Sequence, residues 1–158
     1  MMAQPQKEHE WLQKLVGEWT FEFEAVQPGQ PTQKETGKET VRSLGGLWIV
    51  AEAQGEMGGA PTTMMTTIGY DPKRKRYVGT FIGSMMTHLW VYEGELDSTE
   101  KILTLNTEGP SMAGNGKMVR YQDVMEVKDD DHRVLTSRVL GDDGSWQHFM
   151  TINFRRNK

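Results

Sequence analysis

The chain has 158 residues, 25% of them charged, with a formal net charge of -4, which fits one domain with an ordinary solvated surface. That balance argues against a nucleic-acid partner, which needs clustered Lys and Arg, and no stretch has the length and apolarity of a membrane helix. Cysteine is absent, which excludes disulfides, zinc–thiolate sites and cysteine nucleophiles.

Met1 to Lys7 is followed by no apolar run, so no signal peptide is read and the cytoplasm is the expected location. Pro5 to Val16 reads as the one helix. Pro5 suits a first turn, Trp11, Leu12, Leu15 and Val16 form an apolar stripe, and Gly17 stops it. Strict alternation then begins at Trp19 and runs through Phe21 and Phe23.

Strands are expected over Glu18–Val26, Lys34–Leu44, Leu47–Glu56, Thr62–Tyr70 and Arg76–Ser84. Others follow over His88–Leu96, Ile102–Glu108, Met118–Val127, Arg133–Leu140 and Ser145–Arg155. Turn residues separate them: Pro28 to Pro31, Gly45-Gly46, Gly58 to Pro61, Asp71 to Arg74, Asp97 to Lys101, Lys128 to His132 and Gly141 to Gly144. A longer loop, Gly109 to Lys117, could act as a lid. The basic run Lys73 to Arg76 falls in a hairpin turn and reads as solvated charge.

About ten strands joined by short turns predict an antiparallel meander. Such a meander removes its edges by closing into an up-and-down barrel. The expected fold is therefore all-β, a closed barrel covering residues 1–158 as one domain, with one short N-terminal helix against a barrel end.

Several runs occur together: His9-Glu10-Trp11-Leu12, Gly17-Glu18-Trp19, Gly45-Gly46-Leu47-Trp48, Gly69-Tyr70-Asp71-Pro72, the stretch from Gly83 to Gly94, Glu108-Gly109-Pro110-Ser111 and Asp130-Asp131-His132-Arg133. In combination they resemble a bacterial family, domain of unknown function 1579, grouped with the calycin-like barrels. The resemblance spans nearly the whole chain and implies a lipocalin-like barrel. It carries no established substrate or catalytic residue. Gly17-Glu18-Trp19 also resembles the lipocalin opening, which implies that Arg155 or Arg156 packs near Trp19 at the closed end. Haem barrels of the nitrobindin type have a Gly-rich stretch after the opening Trp. Thr20-Phe21-Glu22-Phe23 stands there instead, and no cofactor is expected.

Strand parity selects the candidate site. In Met118–Val127 the apolar set Val119, Tyr121, Met125 and Val127 should face inward and take Asp123 with it. If Lys128 opposes Arg133, Asp123 opposes Arg138; a three-residue loop at Asp142-Asp143-Gly144 then sets Arg138 opposite His148. Asp123, Arg138 and His148 would form an inward polar row, serving as a structural network or a ligand anchor, because an inward carboxylate needs a cation. His88, Trp90 and Tyr92 alternate and could share one face of a pocket. The histidines at 9, 88, 132 and 148 show no metal-ligand spacing, and His9 and His132 are expected to be exposed.

The leading functional expectation is a barrel that holds a small hydrophobic or amphipathic ligand, using His88, Trp90, Tyr92, Tyr121, Asp123, Arg138 and His148. One alternative is an enzyme using the His148/Asp123/Arg138 row, with His148 as acid/base. Another is a filled structural or assembly module, since the 11 Met and 5 Trp could occupy the interior. Apolar side chains on the outer wall would favour a homodimer.

Overall fold

The computed structural model describes residues 2–26 and 29–158, so Pro28 of the first predicted loop lies outside the described residues. Among the described residues there are one helix and ten strands. The helix is α1 (Lys7–Gln13). The strands are β1 (Gly17–Ala25), β2 (Gln33–Leu44), β3 (Trp48–Met57), β4 (Ala60–Asp71), β5 (Arg76–Gly83), β6 (Trp90–Leu96), β7 (Ile102–Pro110), β8 (Met118–Asp129), β9 (His132–Leu140) and β10 (Trp146–Arg156). Each strand pairs antiparallel with its neighbours in the chain, and β1 pairs with β10 to close the barrel. Closure gives every strand a partner on both sides, as the meander pattern requires.

The helix is shorter than its apolar stripe. After Gln13 the backbone tightens into successive i→i−3 bonds, Lys14 to Trp11, Leu15 to Leu12 and Val16 to Gln13. The carbonyls freed there are reused. Leu15 accepts the Trp19 indole N–H at 2.9 Å, and Val16 and Lys14 accept the Arg156 guanidinium at 2.6 and 2.8 Å.

This helix closes one barrel end. Trp11 Nε1 donates to the Glu100 carbonyl at 2.7 Å, and Tyr77 Oη donates to that of Glu8 at 3.0 Å. His9 is buried rather than exposed. Its Nδ1 accepts from the Gln6 N–H at 2.9 Å, which leaves Nε2 to donate to the Tyr70 carbonyl at 3.0 Å. Both ring nitrogens are thus used to fix the helix against β4. His132, at the start of β9, is half-buried and bonds Asn153 Oδ1.

Beneath the helix the core is dense: Leu12, Leu15, Trp19, Ile49, Ile68, Tyr77 and Leu103 are all buried. Arg156 lies 4.3 Å over the Trp19 ring, and Arg133 lies 4.7 Å over it and 3.8 Å over Phe154. Arg156 is thus one of the two basic residues expected near Trp19; Arg133 is an addition that the sequence does not announce. Arg133 is buried and pairs with the equally buried Glu39. Gly17 adopts φ +143°, and a Cβ there would collide with the Arg156 guanidinium, so a glycine is needed where strand, helix and arginine meet.

Candidate functional site

The opposite end of the barrel is built differently. Among the described residues no helix covers it, and inward-facing Phe23, Met64, Thr66, Phe81 and Ile152 are half-buried there. These side chains line the upper lumen of the barrel. Two concavities, of about 550 and 700 Å³, lie across β5–β8 and are lined largely by residues of the outer wall.

Four of the predicted site residues share the inner face. Trp90 and Tyr92 alternate with the exposed Val91 on β6, while Tyr121 and Asp123 alternate with Gln122 on β8. Tyr92 Oη donates to Asp123 Oδ2, and Ser137 Oγ donates to Asp123 Oδ1 at 2.6 Å. Burial pushes the Asp123 carboxyl above the usual carboxylate range, and these two donors pull it partly back. Burial, with the neighbouring carboxylate, pushes the Tyr92 phenol well above its ordinary value, so Tyr92 stays a donor.

Aromatic rings extend from this polar group toward the mouth. His88 meets Trp90 edge-on at 4.7 Å, Trp90 meets Tyr121 at 5.0 Å, and Tyr121 meets Phe149 at 5.9 Å. Tyr121 Oη donates to the Pro110 carbonyl at 2.5 Å. His88 precedes β6 instead of belonging to it, and its Nε2 donates to the Glu108 carbonyl at 2.9 Å. The predicted lid begins later than Gly109, since β7 continues to Pro110; Ser111 to Lys117 is a hydrogen-bonded hairpin loop.

The ladder between β6 and β7 runs only from Leu96↔Leu103 to Glu93↔Asn106. Beyond it, the Trp90 ring covers Gly109, where a Cβ would run into the indole. The larger concavity follows this seam. It is lined by outward Val91, Asn106 and Glu108 together with inward Tyr92, Thr107 and Tyr121.

The predicted Asp123–Arg138–His148 row does not form. Arg138 does oppose His148, but Asp123 opposes Ser137, one residue from the expected partner. A bulge between Val127 and Asp129 sets Val127 rather than Lys128 against Arg133, and the one-residue slip sends Arg138 to the other face. Arg138 lies on the outer wall. Its Nε donates to Gln122 Oε1 at 2.7 Å, and its guanidinium sits 5.4 Å over the Trp146 ring. His148 is exposed on the same face and bonds Thr151 Oγ1 at 2.7 Å. An interior acid/base row of His148, Asp123 and Arg138 is thus ruled out by register. Among the described residues, no three His, Cys, Asp or Glu side chains converge as metal ligands.

Sequence reasoning missed Ser137 and Thr107. Both are small hydroxyl residues on alternating strands, where parity relative to Asp123 was the available signal. Thr107 is buried opposite Tyr121, and its Oγ1 has no hydrogen-bond partner among the described residues.

A family described as "Protein of unknown function (DUF1579)" matches residues 4–156. The chain belongs to this family. Its fold recurs at low sequence identity in solved structures. Rv2717c from M. tuberculosis superposes with a TM-score of 0.66 at 11% identity, covering 98% of this chain and 100% of that one. The S-type phycobiliprotein lyase CPES from Guillardia theta gives 0.65 at 11% identity, with 98% and 99% covered. A further barrel, EF1p2_mFAP2b bound to DFHBI, gives 0.51 at 13% identity, with 95% and 99% covered. Identities this low establish the shared barrel alone. Among curated proteins none matches. For this DUF1579 chain a closed antiparallel up-and-down barrel is established, and no helix among the described residues is long and apolar enough to cross a membrane.

Proposed function

We propose that this protein is a small-molecule-binding barrel that holds a hydrophobic or amphipathic ligand in the upper lumen. The observation that carries the reading is an inward polar cluster set among apolar and aromatic side chains of a closed barrel. Phe23, Met64, Phe81 and Ile152 are half-buried on the same inner face as the Tyr92–Asp123–Ser137 cluster, and no helix among the described residues covers that end of the barrel. A mainly apolar cavity with a few fixed polar groups is what holds small ligands in orientation. One barrel of similar fold, EF1p2_mFAP2b, holds DFHBI, which supports the use of this architecture for such a purpose.

Trp90 and Tyr121 form the apolar wall next to the mouth in this reading, and Tyr92 with Asp123 supplies the polar end. Native mass spectrometry of the protein taken from its host, followed by titration with alkyl and aromatic amphiphiles, tests it. Binding should weaken at least tenfold in Thr66→Trp, which fills the lumen from β4. A protein that takes up none of the panel, or binds equally well with the lumen filled, overturns the reading.

One observation favours a second reading, an assembly module. Leu89, Val91 and Trp146 are exposed beside the concavity of about 700 Å³ on the outer wall. Sedimentation velocity of the protein and of Val91→Lys separates the two. A homodimer dissolved by that change would favour assembly through this wall.

A further inference from the structure

We propose that the upper lumen is selective for ligands carrying a protonated nitrogen, with Asp123 as the counter-ion and Thr107 as a second acceptor. This rests on the lumen-binding reading above and specifies its ligand class.

Two independent observations point there. First, Asp123 is enclosed by neutral groups. Its inward neighbours are Leu105 and Thr107 on β7 and Leu135, Ser137 and Val139 on β9; on β6 and β8 the titratable groups facing it are Tyr92 and Tyr121. No basic side chain occurs in this set, and Arg138 lies on the outer wall with Gln122. A carboxylate taken from water needs an opposite charge as well as donors, and the two hydroxyls of Tyr92 and Ser137 supply donors alone.

Second, Thr107 Oγ1 is buried without a partner among the described residues, at 7% residue exposure. Thr107 faces inward opposite Tyr121, two residues along β7 from the Leu105 that opposes Asp123. Buried hydroxyls in native proteins are nearly always hydrogen-bonded, so this one, on the same inner face as the Asp123 carboxyl, has an acceptor to offer a ligand donor. An ammonium has three donors and no acceptor, which suits one carboxylate plus one hydroxyl. A ligand carboxylate would instead meet a like charge. The aromatic rings of Trp90 and Tyr121, close by on the same inner face, also favour a cation over an anion.

The test uses three probes of equal chain length below their micellar concentrations: decylammonium chloride, decanol and sodium decanoate. Affinities are read by calorimetry, and the location by the shift of the Trp90 indole N–H resonance. Decylammonium should bind at least tenfold tighter than decanol, with decanoate weakest. In Asp123→Asn the gap between decylammonium and decanol should close to less than twofold. In Thr107→Val, which serves if Asp123→Asn fails to fold by circular dichroism, decylammonium should lose at least threefold relative to decanol. Decanol and decylammonium binding equally in the unmodified protein overturns the cation preference and leaves the lumen reading standing. A preference that survives Asp123→Asn, or an unchanged gap in Thr107→Val, overturns the assigned residues. No binding by any probe overturns both readings.

Discussion

Arg156 lies 4.3 Å over the Trp19 ring while donating to the Val16 and Lys14 carbonyls, so one side chain ties the last strand to the first strand and to the chain leaving the helix. Lysine cannot reproduce this, because a point charge lacks the guanidinium fork. Arg156→Lys should destabilise the fold by about 1–2 kcal/mol, and Arg156→Ala by about 2–4 kcal/mol, through lost charged hydrogen bonds and the cation–π contact. Urea unfolding with a constant m-value measures this. A change within about 0.5 kcal/mol for Arg156→Ala would show that the fork does not close the barrel.

Glu39 and Arg133 form a buried ion pair beside Trp19 and Phe154. Removing one member leaves the other charge uncompensated in the core. Glu39→Ala should therefore lower stability by about 3–5 kcal/mol, whereas the double change Glu39→Leu with Arg133→Met should recover much of that loss. A double variant no better than the single one would mean that the pair contributes net stability.

Burial holds the Asp123 carboxyl above its ordinary range. The native chain therefore keeps a proton there at pH values where the unfolded chain has released it. Its contribution is fully present below the unfolded value of about 4 and is lost as pH rises through the folded value. Relative to Asp123→Asn, stability should fall with rising pH over that interval, by at most about 1.4 kcal/mol per pH unit, and then level off. Chemical denaturation at a series of pH values gives the curve. A difference that grows with pH would mean that Asp123 is held ionised.

Trp90 occupies the space that a side chain at position 109 would take. Gly109→Ala should displace the indole and destabilise by about 1–3 kcal/mol, the usual range for overpacking. It should also shift the Trp90 fluorescence and indole N–H resonance. An unperturbed Trp90 spectrum would show that the ring moves aside without strain and that the β6/β7 seam is not set by this contact.

The barrel was legible in the sequence wherever one face of a strand is apolar. Trp19 and Phe21 alternate, and both are buried; the predicted inward set of Tyr121, Asp123, Met125 and Val127 is the observed one, opposite Val139, Ser137, Leu135 and Arg133. The basic run at the β4–β5 turn is solvated as expected, with Arg76 paired to Glu95 at 3.0 Å. Arg133 was not legible as a core residue. It follows a polar turn, where a charged side chain reads as surface, and its partner Glu39 is 94 residues away in the chain. His9 reads as exposed for a related reason: its donor and acceptor partners are backbone groups, which leave no mark in composition.

Periodicity by itself determined the strands, the inward set of those with one clearly apolar face, and the meander, because burial on one face imposes a period of two on the residues that form it. The tertiary structure alone decided which charges meet. A single bulged residue between β8 and β9 moves every cross-strand partner by one, gives Asp123 to Ser137 and Tyr92, and carries Arg138 through to the outer wall. Alternation is a local property of each strand, whereas register belongs to a pair of strands and is settled by turn geometry and packing.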